Sequence, residues 1–532
     1  MTTTPMLLAD RAERFCDELA VVDGDVALTF GELAARAARV AAGLIDRGVG
    51  RGDTVAIWAP NRFEWIVTAL GLQMTGAALL PLNTRFKSSE VRALLERTRA
   101  VALISVGTFL GVDYPMMLNA DTSDSRVGGP VAGLDNLRHV FTLDVTRAPW
   151  ATPWSELSEG SSVCNDVVWE RARTVRDDDV CDVLFTSGTT GVPKGAMCTH
   201  AVTMNAYETF VDHVGIRRGD RYLIVNPFFH AFGYKAGWLS CLIAGATAYP
   251  LATFDVAHAI EIVAREHITV FPGPPTVYYS MLESGLADRE KLASLRLSIT
   301  GAATVPEALI RRMQRDLTFD DILVGYGLTE ANGLGTMCRP GTAPEVAAAT
   351  SGPSIPGMEL RTVDDAGNDV VVGEAGEIWL RGHQMKGYLD DPVATAAAID
   401  TDGWLKTGDI GFVDSDGNLH VTDRKKDMFI VGGFNVYPAE VENLMLAHPA
   451  VSQVAVVGVA DDRLGEVGHA FVIERPGQKV DGDELLAWCR ATMANFKAPR
   501  HVTVCDAFPL TANGKVLKTA LRDMAIKHAP DR

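Results

Sequence analysis

The chain has 532 residues, of which 47% are hydrophobic, 22% charged and 7% aromatic; it can build a large core, which excludes a disordered, collagen-like or coiled-coil chain. Its 49 basic and 67 acidic side chains sum to −18, a balance that argues against sequence-independent binding to nucleic acid or an anionic membrane. Eight scattered cysteines without a C-x-x-C pair indicate reduced thiols, and MTTTPMLLADRAER lacks the basic and apolar regions of a signal peptide, so a cytoplasmic protein is expected.

In chain order, 31–46 places Leu33, Ala37, Val40, Ala41 and Leu44 on one helical face. A strand is expected over 54–59, a helix over 63–75 and a strand over 77–82, with similar elements near 221–225, 256–266, 268–271 and 306–316. This alternation is the rhythm of helix-covered parallel sheets. Residues 112–135 are polar and Gly-rich and read as a surface loop. The uncharged stretch 236–254 is long enough to span a membrane, but Gly245 and Pro250 interrupt it. A buried helix ending near Gly245 and then a buried strand is the better reading.

From about 358 short strands with D-G and A-G turns suggest a small β unit, and beyond the charge run 423–427 a compact α+β unit of about a hundred residues follows. The expected fold is therefore α/β. A large N-terminal domain of helix-covered sheets plus a small β unit, 1–424, precedes a small mobile α+β domain, 425–532, with the charge run as hinge.

The segment LFTSGTTGVPKG, 184–195, follows a predicted buried strand. Gly188, Gly191 and Gly195 let the backbone bend and present N–H groups, Thr186, Ser187, Thr189 and Thr190 add hydroxyl donors, and Lys194 supplies a cation. Together they suit a polyphosphate. The segment is not a Walker A loop, because glycine follows the lysine. His230 lies among aromatics in NPFFHAFG, where a packed core role competes with a place in a site.

The T-S-G-T-T-G-x-P-K-G run resembles the phosphate loop of the adenylate-forming superfamily, which holds acyl-CoA synthetases, amino-acid adenylation domains and beetle luciferases. Tyr326-Gly327-Leu328-Thr329-Glu330, Thr407-Gly408-Asp409, Asp423-Arg424, Gly432-Gly433-Phe434 and Asn513-Gly514-Lys515 resemble its later motifs, in order and over nearly the whole chain. The resemblance implies ATP, Mg²⁺ and coenzyme A as reactants or cofactor, and a small carboxylic acid as the other partner. A homodimer is compatible with it, and neither nucleic acid nor membrane is called for.

By that resemblance, Glu330 with Thr186 would hold Mg²⁺, and Thr329 would donate to the α-phosphate. Gly301, Ala302 and Ala303 would flank adenine with Tyr326; Asp409 would accept the ribose hydroxyls, and Arg424 would bind the same hydroxyls or orient the domains. Lys515 would screen the carboxylate from the α-phosphate, Lys426 would stand at the hinge, and Gly432, Gly433 and Phe434 would border the pantetheine channel. The acyl pocket would be walled by His230, Ala231, Phe232, Gly233, Trp238, Tyr278, Gly327, Asn332 and Gly333.

Amino-acid adenylation domains pair the substrate ammonium with an Asp near this segment, and no acidic residue occurs from Phe228 to Leu251. A plain acid is therefore expected rather than an amino acid. As no carrier domain is read at the end of the chain, free coenzyme A is the expected acceptor, with loading of a carrier protein as the alternative. The segments NPFFHAFGYKAG, FPGPPT, TGAATVP and YGLTEANGLGTMCRP further resemble the actinobacterial CoA ligases of steroid catabolism. That likeness implies a methyl-hexahydroindanedione propanoate, the bicyclic remnant of sterol rings C and D, with Asn332 or Tyr234 as donors to its keto groups. A medium-chain or aromatic acid is the alternative; an inactive nucleotide-binding regulator would lack Lys194, Glu330 or Lys515, and all three are present.

Overall fold

The computed structural model describes residues 3–119, 131–186, 193–301, 305–424, 427–431, 434–461, 464–493, 495–510 and 516–527. The chain divides into two compact units, Met1–Leu360 with Leu380–Leu405, and Arg361–Trp379 with Lys406–Arg532.

Two sheets organise the first unit. One runs, strand by strand, Gly387–Tyr388, Lys194–Thr199, Val180–Thr186, Ala78–Pro81, Thr54–Trp58, Ala102–Ser105, His139–Thr142 and Thr152–Pro153. From Val180–Thr186 onward its neighbours are parallel, whereas Lys194–Thr199 pairs antiparallel on both sides. The other sheet joins Val26–Thr29, Leu19–Asp23, Thr247–Pro250 and Arg221–Ile224 to Leu297–Gly301, Asp321–Tyr326 and Thr336–Met337. Val270, expected inside a strand, contributes only single bridges to Tyr222 and Leu297 that stitch the halves together.

Helix Phe30–Asp46 forms where the apolar spacing placed it, and its five predicted face residues are all buried. Thr29 Oγ1 accepts from Glu32 N at 3.2 Å and Glu32 Oε2 accepts from Thr29 N at 2.9 Å, a reciprocal cap that contributes about 1 kcal/mol. Its partner helix Phe63–Met74 approaches so closely that a Cβ on Gly71 would lie 2.8 Å from Ala37 O. Residues 240–244 are helical, Gly245 closes that helix at φ +74°, and Thr247–Pro250 is a buried strand, as the glycine and proline implied. No helix among the described residues is long and apolar enough to cross a membrane. Part of the expected 112–135 loop is ordered instead as helix Tyr114–Asn119; residues 120–130 lie outside the described residues.

In the second unit, strands Val451–Asp461 and Gly465–Glu474 form a long hairpin, and His501–Val504 lies parallel beside the latter. Alternation decides what each face buries. Val456, Ala470 and Val472 pack on Val441, Met445, Leu485 and Cys489 of helices Pro438–Leu446 and Gly482–Thr492. Ala455, Val457 and Phe471 point the other way, onto Leu521 and Ala525 of helix Lys518–Lys527.

Within the first unit, one buried imidazole ties Thr4 to helix His200–Val214. His200 Nδ1 accepts from Thr4 N at 3.3 Å and lies 3.1 Å from Thr4 Oγ1. Burial lowers its pKa to about 4, so the ring is neutral when folded. The unfolded chain then binds more protons between pH 6.5 and 4, and stability falls as pH falls through that window. Between pH 7 and pH 5 the loss from this group is about 2 kcal/mol. Denaturant midpoints of the parent and of His200→Gln at the two pH values should show the variant losing less on acidification; equal losses would contradict the assignment.

Candidate active site

Thr186 ends the strand Val180–Thr186 and is the register partner of Lys194 on the neighbouring strand. Tyr388 pairs with Ala196 on that strand's far side. Glu330 lies in the single turn Thr329–Ala331 that follows strand Asp321–Tyr326, and its carbonyl accepts from Met385 N at 2.7 Å. The turn crosses itself tightly: Gly333 N donates to Leu328 O at 2.8 Å, and a Cβ on Gly327 would lie 2.2 Å from Gly333 O. Only glycine fits at 327, which explains it inside the motif.

These elements converge on the Glu330 carboxylate. Its Oε1 accepts from Tyr388 Oη at 2.9 Å and from Thr186 Oγ1 at 3.3 Å. Lys194 Nζ stands 5.2 Å from the centroid of the Tyr388 ring. Burial, and then the Glu330 carboxylate, hold the phenol well above its usual range, so Tyr388 remains a donor. Among the described residues both hydrogen bonds fall on Oε1, which leaves Oε2 for a cation. No group of three or more His, Cys, Asp or Glu that could cage a metal occurs among the described residues. One carboxylate with a hydroxyl beside it suits Mg²⁺, which takes oxygen ligands and completes its shell with phosphates and water.

Gly301 and Gly325 are register partners on adjacent parallel strands, so Gly301 and Tyr326 stand together where those strands end, the edge at which open α/β sheets bind ligands. A Cβ on Gly301 would lie 2.5 Å from Gly325 O. In the second unit Asp409 and Arg424 are direct register partners, with Asp409 buried. Ser187, Gly188, Thr189, Thr190, Gly191, Ala302, Ala303, Lys426, Gly432, Gly433 and Lys515 lie outside the described residues, as do the side chains of Arg424 and Phe434.

In the acyl segment, His230 is exposed and caps the short helix Ala231–Gly233 by accepting from Phe232 N at 3.2 Å on Nδ1. Phe232 is half-buried. A Cβ on Gly333 would meet the Ala231 Cβ at 2.9 Å, so Ala231, Gly333 and Gly327 adjoin one another.

Other expected wall residues are core side chains. Trp238 stacks on Tyr234 with 5.0 Å between centroids and packs edge-on to Trp65. Tyr278 is fully buried, accepts from Ser298 Oγ at 2.7 Å and donates to Phe271 O at 3.1 Å. Both are packed in the core, and among the described residues the buried Trp238 Nε1 has no hydrogen-bond partner. The two expected keto donors are both fully buried: Tyr234 Oη accepts from Gln73 Nε2 at 3.0 Å, and Asn332 accepts on Oδ1 from Lys235 Nζ, while among the described residues its amide Nδ2 has no hydrogen-bond partner.

Tyr388 was not among the expected site residues. Only the Gly-Tyr pair shortly after the strand GEIWLRG marks it in the sequence. Tyr388→Phe keeps the ring under Lys194 but removes the donor to a carboxylate, a bond of about 1.5–3 kcal/mol. Pyrophosphate exchange is expected to slow about 10- to 100-fold, and a rate within twofold of the parent would exclude this role.

Residues 8–389 match the family model described as AMP-binding enzyme, and 440–515 match that of the AMP-binding enzyme C-terminal domain. The chain belongs to the AMP-binding enzyme family. As an AMP-forming acyl-CoA ligase of that family, it catalyses ATP-dependent acid:CoA ligation through an acyl-adenylate. A 3-[(3aS,4S,7aS)-7a-methyl-1,5-dioxo-octahydro-1H-inden-4-yl]propanoyl:CoA ligase of Rhodococcus jostii (strain RHA1) is 46% identical, covering 98% of each chain. A ligase of the same description from Mycobacterium tuberculosis (strain H37Rv) is also 46% identical, over 98% of this chain and 99% of its own. Among solved structures, ATP-bound MatB from Rhodopseudomonas palustris superposes with a TM-score of 0.85 at 27% identity, covering 98% of this chain and 99% of its own. The o-succinylbenzoate CoA synthetase of Bacillus subtilis with ATP and magnesium gives 0.81 at 28%, covering 97% and 99%.

Proposed function

We propose that the acid this ligase activates is the bicyclic keto-propanoate left from sterol rings C and D. The observation that carries the reading is the 46% identity, over 98% of both chains, to the Rhodococcus ligase described as acting on that acid. The lack of an acidic residue from Phe228 to Leu251 agrees with it, since a substrate ammonium would have no counter-charge there.

In the first half-reaction a carboxylate oxygen attacks the α-phosphorus of ATP and pyrophosphate leaves. Both reactants are anionic, so the site's work is to screen charge and align. Thr186 and Lys194 flank the segment proposed as the phosphate loop, and Thr329 would donate to the α-phosphate. Glu330, held by Tyr388, is the carboxylate that would bind Mg²⁺. That ion, when bound, neutralises phosphate charge. Asp409, with Arg424 opposite, would take the ribose hydroxyls; Lys515 would approach the reacting carboxylate. In the second half-reaction the coenzyme A sulfur attacks the acyl carbonyl and AMP leaves, the thiol passing Gly432, Gly433 and Phe434. The small domain, 425–532, would turn about Lys426 between the two.

Turnover with free coenzyme A across an acid panel tests the substrate. The keto-propanoate is expected to exceed octanoate and benzoate in kcat/KM by about tenfold or more, equivalent to about 1.4 kcal/mol. Equal or better turnover of either simple acid would overturn the assignment. A feruloyl-CoA synthase 36% identical over 94% of the chain makes an aromatic acid the second reading, and ferulate belongs in the panel.

A further inference from the structure

Two opposite charges lie in the apolar interior of the first unit, outside the chemistry described above. Lys235 and Asp182 are both 0% exposed, with Lys235 Nζ 2.9 Å from Asp182 Oδ1. The ammonium also donates to Asn332 Oδ1 at 2.5 Å. Burial works most strongly against the charge on Lys235, and the Asp182 carboxylate together with the neighbouring groups more than offsets it, holding the ammonium above its usual range. Burial pushes the neighbouring Cys198 thiol up to about 12 and the Cys181 thiol well above its usual range, so both stay neutral.

The positions of the three partners matter more than the pair itself. Asp182 precedes Thr186 by four residues on the regular part of one strand, so both side chains share a face. Asn332 follows Glu330 by two residues, holds a left-handed φ of +60°, and accepts at its own carbonyl from Tyr207 Oη at 2.9 Å. The strand that leads into the phosphate loop and the turn that bears Glu330 are thus tied twice. One tie is Thr186 to Glu330, within the site. The other is Asp182 to Lys235 to Asn332, in the core. Lys235 enters from the wide helical turn Tyr234–Leu239, and its carbonyl is held by Ser240 Oγ at 2.9 Å.

Stability does not require this arrangement, since apolar side chains of similar volume hold a core as well as a buried ion pair does. A directional bond adds registration. We infer that Lys235 is a positioning residue for adenylation: by holding Asn332 against Asp182, it sets the Glu330 carboxylate relative to Thr186. The inference rests on the adenylation reaction, not on which acid is used.

The full-length double variant Lys235→Met with Asp182→Leu removes both charges together. It is expected to fold, with a denaturant midpoint lowered by the orphaned Asn332 Oδ1, and to exchange pyrophosphate about 10- to 100-fold more slowly. The Mg²⁺ concentration for half-maximal rate should rise while KM for the acid stays unchanged, and octanoate and the keto-propanoate should show the same fall. Asn332→Gly cuts only the tie to the turn and suits a left-handed residue; it should reproduce the effect, and it decides the matter if the double variant does not fold. Parent-like exchange in Asn332→Gly or in the folded double variant overturns the inference, as does a loss confined to KM for the acid. A parent enzyme that exchanges pyrophosphate equally well without any acid would refute the adenylation reading, and this inference with it.

Discussion

Glu330→Gln is expected to slow adenylate formation on the order of 10²- to 10³-fold, the scale of losing one preorganised electrostatic group from a transition state. The replacement is nearly isosteric, and its amide oxygen can still accept from Tyr388 and Thr186, the partners of Oε1. The loss therefore reports the missing charge rather than a collapsed turn. Pyrophosphate exchange at rising Mg²⁺ should recover only part of the rate, and KM for the acid should move little. Thioester formation from supplied acyl-adenylate needs no metal–triphosphate and should be largely retained. Exchange within threefold of the parent would remove Glu330 from the role given to it.

Lys515→Ala separates the two half-reactions in the same way. Lys515 lies outside the described residues; on either side of it Leu510 and Val516 form an antiparallel bridge, and Leu517 N donates to Pro509 O at 2.8 Å. A carboxylate meeting an α-phosphate at contact distance is a like-charge encounter, and removing the cation proposed to lie between them is expected to slow adenylation on the order of 10³-fold. Capture of a supplied acyl-adenylate by coenzyme A should continue near the parent rate. Equal loss in both half-reactions would place the lysine elsewhere in the cycle.

The residues that local spacing could identify were the ones the structure bears out most directly. Leu33, Ala37, Val40, Ala41 and Leu44 share a buried face because a 3.6-residue period has one physical cause, and Gly245 closes a helix because its φ is +74°. Contacts between distant segments were not legible. Tyr388 meets Glu330 across 58 residues, and no local pattern marks that approach. The surroundings of Trp238 were equally hidden: Gly237, at φ −89° and ψ −107°, departs from helical geometry just before it, and the indole packs against Trp65 and Tyr234. Lys235 and Asp182 stand out as single charges in the apolar runs AFGYKAGWL and VCDVLF, but only the fold reveals that they meet. Val270 fell short of a strand because its pairing is limited to single bridges to Tyr222 and Leu297.

The crossing of Gly327 over Gly333 bears on how the enzyme's acid range could be changed. Any side chain at 327 would drive into a backbone carbonyl 2.2 Å away, and 333 holds a φ of +88° with the Ala231 methyl and the Tyr207 hydroxyl in the way. Libraries randomised at either glycine would return misfolded protein instead of new specificities. Of the positions proposed for the acyl site, His230 is exposed and Phe232 half-buried, so diversity introduced at those two would leave the turn beneath Glu330 in its shape.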